Sequence, residues 1–313
     1  MPVPRKMLRF IIRRLIITIP TILVVITLTW GLIRLAPGNF YSGEKKLPPA
    51  IEKNIREKYG LDKPWYEQYR RTLWGIVRHF DFGTSLKYEG QSVNGIIGRS
   101  LPVSAAIGLL AYLLSLVVGI IAGSIAALKQ NSRWDYASMA VAMLGISVPN
   151  FVLGPILVLV FSLSLYWLPP SRWGGFPSRN LILPVLTLSA VYMAYIARLT
   201  RAGMLEVLRS DYIRTARSKG LSEKDVVVRH ALRGGLMPVI SYTGPALAFL
   251  LTGTVVVERI FALPGLGNYF IQASLNRDEP LIIGIVAFIA ITLLLMNLLV
   301  DIAYAYLDPR VRY

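Results

Sequence analysis

Long apolar runs alternate along this chain with short basic segments, and the run lengths constrain it first. Six charge-free stretches approach or exceed the ~20 residues a helix needs to cross a hydrocarbon layer ~30 Å thick. They are Leu15–Ile33, Ser100–Leu128, Tyr136–Ser171, Asn180–Ala197, Gly234–Val257 and Pro280–Val300. None shows the two-residue alternation of a barrel strand, so the crossings are helical. The third run is too long for one straight crossing. It holds Pro149 and Pro155, which predicts a kinked helix ending at an interface near Trp167, Pro169 and Pro170. Gly119, Gly123 and Ala127 recur every four residues in the second run, a spacing that lets helix backbones approach closely. Packing within the chain is the simpler expectation, and pairing with a second subunit the alternative.

Basic residues orient the spans. With the N-terminus inside, eighteen Lys and Arg fall in inner segments against four in the short outer loops, and twelve more lie in Arg34–Arg99, a segment longer than the ~60 residues over which the positive-inside rule counts charge. Cytoplasmic N- and C-termini follow from the positive-inside rule. The first run lacks a convincing small-residue cleavage site and reads as a retained span. The division expected is a basic segment and first transmembrane helix (1–36), an extracytoplasmic helical insertion (37–99), a five-helix transmembrane core (100–306) with a cytoplasmic loop at 211–233, and a cytoplasmic tail (307–313). In the insertion, Pro48 and Pro49 open a helix that Gly60 closes, with Glu52–Arg56 and Lys53–Glu57 pairs on its wet face. A second helix starts at Pro64, with Trp65, Tyr69, Leu73 and Ile76 expected to bury one face. Phe80–Ser85 then reads as a loop. These aromatics fit a lid packed on the membrane surface or a contact for an extracytoplasmic partner.

Composition agrees with an integral membrane protein: 54% hydrophobic residues, 16% charged, mean hydropathy +0.54. The net charge of +17 fits a cationic protein fixed against anionic lipid better than a nucleic-acid binder. There is no cysteine, and His79 and His230 have no companion at ligand spacing, so no metal site is expected. No phosphate-binding loop, H-E-x-x-H or G-x-S-x-G is present. This chain is therefore expected to hold no cofactor and to catalyse no reaction. Asp135, Glu258 and Asp301 sit at span ends, where water is expected to reach them. A proton-driven carrier would hold a carboxylate deeper. The chain lacks a visible energy source of its own.

The segment Asp211–Pro238 reads instead as a docking element through which something else drives the spans. Ile213, Ala216 and Gly220 fall on one helical face, flanked by Arg214, Arg217 and Lys219. A small-residue face lets a partner pack against backbone, and the cations can meet its acidic groups. Gly220 closes the helix, and a new one caps at Leu221-Ser222-Glu223-Lys224. A basic amphipathic helix lying on lipid is the competing reading. The segment resembles the coupling loop of binding-protein-dependent ABC importer permeases, in its peptide branch. Arg214 and Thr215 replace the Glu and first Ala of the general pattern. His230 and Arg233 stand where that pattern has Ile and Pro, the proline coming at Pro238. The resemblance extends through Arg34–Gly38, Gly43–Pro49, Lys58–Leu61, Asp81–Gly83, Ala126–Asn131, Leu263–Gly267, Leu275–Asp278 and Asp308–Arg310. It is similar to the B-type permease of oligopeptide and dipeptide importers.

That resemblance implies an all-α polytopic protein with six transmembrane helices and the type I importer permease fold, in a bacterial inner membrane. It implies a C-type permease partner, two ATPase subunits carrying ATP and magnesium, a peptide-binding protein outside, and alternating access for oligopeptides. Dipeptides, nickel chelates, glutathione and oligosaccharides are alternative cargoes. An ion-gradient carrier is the alternative of another class, and an intramembrane enzyme lacks a catalytic pair. The coupling residues would be Tyr212, Ile213, Arg214, Thr215, Ala216, Arg217, Lys219 and Gly220. Pro238, Gly244, Pro245 and Gly253 interrupt the fifth span and are hinge candidates, ordinary packing being the alternative. Pro264, Gly265 and Gly267 turn the chain into a short helix at Asn268–Leu275, placed at the outer gate or against the binding protein. Ser147, Asn150, Ser241, Tyr242 and Thr252 are candidate pathway residues, each also able to bond a carbonyl in its own helix.

Overall fold

The computed structural model describes residues 5–36, 53, 57, 59–170, 172–251 and 255–307, with side chains in the terminal helices followed from 16 and to 302. The helices are α1 (Arg5–Leu35), α2 (Trp65–His79), α3 (Val93–Leu128), α4 (Arg133–Ser147), α5 (Asn150–Leu157) and α6 (Ile182–Leu208). They continue as α7 (Asp211–Ser218), α8 (Glu223–Asp225), α9 (Leu232–Gly235), α10 (Met237–Leu251), α11 (Val255–Ile260), α12 (Leu266–Asn276) and α13 (Glu279–Leu307). Wider π turns occupy Val158–Ser164 and Val226–Ala231. Among the described residues no strand forms; Thr84 and Ser92 make an isolated antiparallel bridge.

Among the described residues, five helical segments are long and apolar enough to cross a membrane: Ile16–Leu35, Val93–Leu128, Arg179–Leu208, Met237–Ile260 and Glu279–Ile302. The third apolar run departs from the kinked helix expected of it. It breaks into α4 and α5 with a bend of 104°. The break lies at Val148, which takes an extended conformation (φ −91°, ψ 113°) as residues before proline prefer, and Pro149 then caps α5. Pro155 stays inside α5 without breaking it.

The described residues of 1–103 and 264–294 form one compact unit, and those of 104–263 and 295–312 another. In the first, Ile26 and Trp30 of α1, Ile76 of α2, and Ile283 and Ala287 of α13 share a core. Tyr69 and Leu73 pack against it as expected. Trp65, the first residue of the helix, is only partly enclosed: its ring lies 6.3 Å from Trp30 at the edge of that core, and the residue stays 63% exposed. The expected Lys53–Glu57 pair is present at 3.9 Å, with both side chains exposed. Glu52, Arg56 and the helix start at Pro48–Pro49 lie outside the described residues.

A second core joins Val93, Ile96 and Ile97 of α3 to Leu266 and Ala273 of α12 and to Leu281 and Ile285 of α13. The helix expected at Asn268–Leu275 is thus α12. Asp278 fastens this unit. Its buried carboxylate accepts the Ser85 hydroxyl and the Leu86 and Lys87 N–H groups at 3.0 and 3.1 Å, and caps α13 through Leu281 N–H. The loop 80–92 is therefore fixed by a buried acceptor.

In the second unit glycines set helix contacts. A Cβ on Gly123 would come 2.4 Å from the Ala197 carbonyl oxygen, and one on Gly119 2.8 Å from Ile196. The small-residue repeat of α3 therefore packs on α6 within this chain. Gly203 lies where a Cβ would be 2.2 Å from the Gly235 carbonyl oxygen. Overpacking so close a site costs about 1–3 kcal/mol. We expect Gly203→Val to lower the thermal midpoint of the purified chain. Gly98→Ala, at a helical glycine with nothing within 4 Å, should leave it unchanged or raise it.

Candidate functional site

The polar loop between α6 and α10 is built around α7. Ile213 and Ala216 face inward, buried with Met204 of α6, Val226 and Ala231 of the following π turn, and Ala127 of α3. The small-residue face expected to receive a partner is thus occupied by this chain. Burial of Ile213 stabilises more here than on a partner that comes and goes, because α7 has only eight residues and cannot persist alone. Gly220, expected on the same face, is exposed and lies beyond the helix.

What α7 presents outward is polar. Arg214, Thr215, Arg217, Ser218 and Lys219 are exposed, and Tyr212 is half-exposed. Arg214 pairs with Asp211 at 3.3 Å, and the Thr215 hydroxyl donates to the Asp211 carbonyl at 3.0 Å. Gly220 takes φ +76°, its N–H bonding the Arg217 carbonyl at 2.9 Å while Leu221 N–H reaches back to Ala216. That left-handed cap needs glycine. Ser222 then caps α8, accepting from Asp225 N–H at 3.2 Å. Arg217 clamps the turn with two bonds to Glu223, 2.7 and 3.2 Å. The Arg217 hydrogen bond and charge hold Glu223 below the usual carboxylate range, and Arg217 is raised in turn.

Two glycines bind this loop to the spans. A Cβ on Gly234 would meet Val207 at 3.0 Å and the Tyr212 hydroxyl at 3.1 Å, while Gly235 lies against Met204. The chain turns at Leu236 because Pro238 can neither donate a helical bond nor clear the carbonyl four residues earlier. Pro238 therefore separates α9 from α10. Pro245 stays inside α10, and Gly244 serves close packing, where a Cβ would lie 3.0 Å from the Asn297 amide. Gly253 and Thr252 lie outside the described residues. Pro264 precedes Gly265, the N-cap of α12, and Gly267 is buried in its first turn.

Of the candidate pathway residues, Ser147 is exposed at the end of α4, and Asn150 opens α5 with its amide oxygen enclosed. Ser241 bonds the Met237 carbonyl of its own helix at 3.3 Å. Tyr242 belongs to a cluster that sequence reading missed: its ring lies 5.8 Å from Tyr195 and 6.3 Å from Tyr192, and nearby Tyr112 donates to Thr243 at 2.5 Å. The signal was present as Tyr192 and Tyr195, three residues apart in an apolar run. Also missed were two buried carboxylates. Asp135 is 2% exposed and takes two 2.7 Å bonds from Arg201, and Glu258 is 1% exposed and accepts the Ser104 hydroxyl at 2.7 Å. Both had been expected to meet water; helix packing encloses them.

This arrangement matches a known family. The model for "Binding-protein-dependent transport system inner membrane component" covers residues 119–313, and the corresponding N-terminal model covers 7–107. The chain belongs to this family. The oligopeptide transport system permease protein OppB of Haemophilus influenzae is 45% identical over 98% of this chain and all of its own length. OppB of Escherichia coli K12 is 46% identical over the same shares. The dipeptide transport system permease protein DppB of Bacillus subtilis is 44% identical over 98% of each chain. Among solved structures, an inward-facing MetNI methionine ABC transporter superposes with TM-score 0.58 at 14% identity, covering 68% of this chain and 96% of that one. That likeness is one of fold. The protein is a multi-pass inner-membrane permease.

In this permease the Arg217–Glu223 clamp is exposed, so it holds geometry more than stability. A lowered carboxylate gives its contribution above the ordinary Glu value of about 4.3 and loses it as pH falls through its lower folded value. We expect Arg217→Glu to loosen the 217–223 turn, read as faster amide exchange there at neutral pH. The reciprocal pair Arg217→Glu with Glu223→Arg should restore protection, and the thermal midpoint should barely move in either case, as expected of an exposed pair.

Proposed function

We propose that this chain is the membrane-spanning B-type subunit of an ATP-driven peptide importer. In this reading α7 is the element that nucleotide-binding partners push. The observation that carries it is the division of α7 into a face buried in the chain and a cationic face left outside, in a permease whose relatives are oligopeptide and dipeptide permeases. A helix that only lay on lipid would bury its apolar side there. Here that side is already packed against α3, α6 and the Val226–Ala231 turn.

The assembly pairs this subunit with a C-type permease, two ATPases on the cytoplasmic side and a peptide-binding protein outside. ATP and magnesium belong to the ATPases. Both termini and α7 face the cytoplasm, and 37–99 faces outward. Arg214 and Lys219 meet acidic groups or helix C-termini of one ATPase. Ile213 and Ala216 transmit the push to α6 and to the segment leading to α10, instead of touching the ATPase. The hinge sits at Leu236–Pro238. Alternating access follows as bodies of packed helices shift, with nucleotide binding supplying the free energy. Tyr192, Tyr195 and Tyr242 join Ser241 as pathway residues. Tyrosine hydroxyls at this depth favour water or a substrate backbone over hydrocarbon. Asp135 is held by Arg201, which makes it a poor proton carrier.

The test uses Arg214→Glu with Lys219→Glu. Gly220 is a weaker target, because any side chain there strains the cap whatever it touches. The doubly reversed variant should insert normally but lose copurification with the ATPase and peptide-stimulated ATP hydrolysis by tenfold or so, about 1.4 kcal/mol of docking free energy. Unchanged copurification and stimulation would reject the role of α7, and proton-driven uptake by the chain alone would reject the importer.

A further inference from the structure

Helix α2 carries a face that stays exposed among the described residues and that the transport role does not use. Its inner side meets Ile26 and Trp30 of α1 and Ile283 and Ala287 of α13, and Tyr69 shares a 2.6 Å hydrogen bond with Thr27. These contacts set its depth. Trp30 and Ile26 lie five and nine residues before the end of the Ile16–Leu35 span, about 7 and 13 Å at the rise of a helix. Ile283 and Ala287 lie four and eight residues into the Glu279–Ile302 span, about 6 and 12 Å. Two spans thus agree that the inner contacts of α2 lie about one to two and a half turns below the ends of the apolar helices it packs on.

The side of α2 turned away from those contacts holds Tyr66, Arg70, Trp74 and Arg78 at four-residue spacing, with Val77 beside them and Phe80 at the end. All six are exposed. The Arg78 guanidinium lies 5.0 Å from the Trp74 ring centre. Water-facing helices rarely gather such aromatic area. Aromatic rings interleaved with arginines are what an interfacial layer favours, rings among the upper acyl chains and guanidiniums at the phosphates.

We propose that this face of α2 is a lipid-binding surface that seats on the headgroup layer of anionic phospholipid. Two features select that occupant over a protein. The face is continuous in depth with the exposed apolar residues Leu28, Leu32 and Leu35 of α1. Its charges, Arg70 and Arg78, complement phosphate. The surface anchors the unit formed by 1–103 and 264–294 to the bilayer.

The chain contains no cysteine, so single labels can be placed cleanly. Trp74→Cys and Val77→Cys, each carrying an environment-sensitive fluorophore, are compared with Glu89→Cys on the exposed loop. The measurement is made in the assembled transporter in vesicles of phosphatidylglycerol and phosphatidylethanolamine. Labels at 74 and 77 should lose most of their emission to a nitroxide carried near the lipid headgroup and little to aqueous iodide, with the reverse at 89. Quenching by iodide at 74 and 77 as strong as at 89 would overturn the proposal. Shielding from both quenchers would overturn it too, since it would mean that a protein segment or the binding protein covers the face. If one variant fails to assemble, the other position gives the same readout.

Discussion

The contact on which the account depends is the burial of Ile213 and Ala216 beneath α7. An eight-residue helix has no persistence of its own in water. It exists here because two side chains on one face reach a core supplied by Ala127, Met204, Val226 and Ala231. In the proposed reading the same contact makes α7 a mechanical element. Its packed face joins it to α6 and to the chain leading into α10, so a push on the outer face is carried by close-packed atoms. Gly203, Gly234 and Gly235 extend that junction by bringing backbones together without side chains between them. Filling that space with a larger residue would separate the parts that the proposed mechanism moves together.

Stiffness and bending are placed in different parts of the chain. The stiff parts are tied by polar groups enclosed among apolar helices: Asp135 with Arg201, Glu258 with Ser104, and Asp278 with the 85–87 loop. Leaving such groups unpaired would cost several kcal/mol each, so the helices they join keep their spacing. The bends fall at proline. Pro149 ends α4 and turns the chain by 104°, and Pro238 separates α9 from α10. A permease that changes conformation by moving packed bodies needs both features.

Much of this was legible in the sequence. Run lengths gave the spans because hydrocarbon thickness fixes helix length. The cap at Gly220, the N-cap at Ser222 and the short helix after Gly265 followed from local turn chemistry. Three things were not legible, and each depends on tertiary contact. The inner face of α7 was read as a docking face because helical spacing identifies a face without saying what covers it. Asp135 and Glu258 were read as wet because position at a span end does not reveal a partner 66 or 154 residues away. The break at Pro149 was read as a kink because the angle depends on what α4 and α5 pack against. The tyrosines around Tyr242 come from different helices and could only be joined by the fold.

The central claim is that α7 moves as one body with the segment that follows it. Spin labels at Ser218 of α7 and Arg229 of the following turn, both exposed, test this in the assembled transporter by pulsed electron resonance. The distance between them should stay constant between nucleotide-free and ATP-trapped states, while the distance from Ser218 to the opposite permease subunit changes. A shift between Ser218 and Arg229 on ATP binding would show α7 swinging free of its core, and would contradict the account.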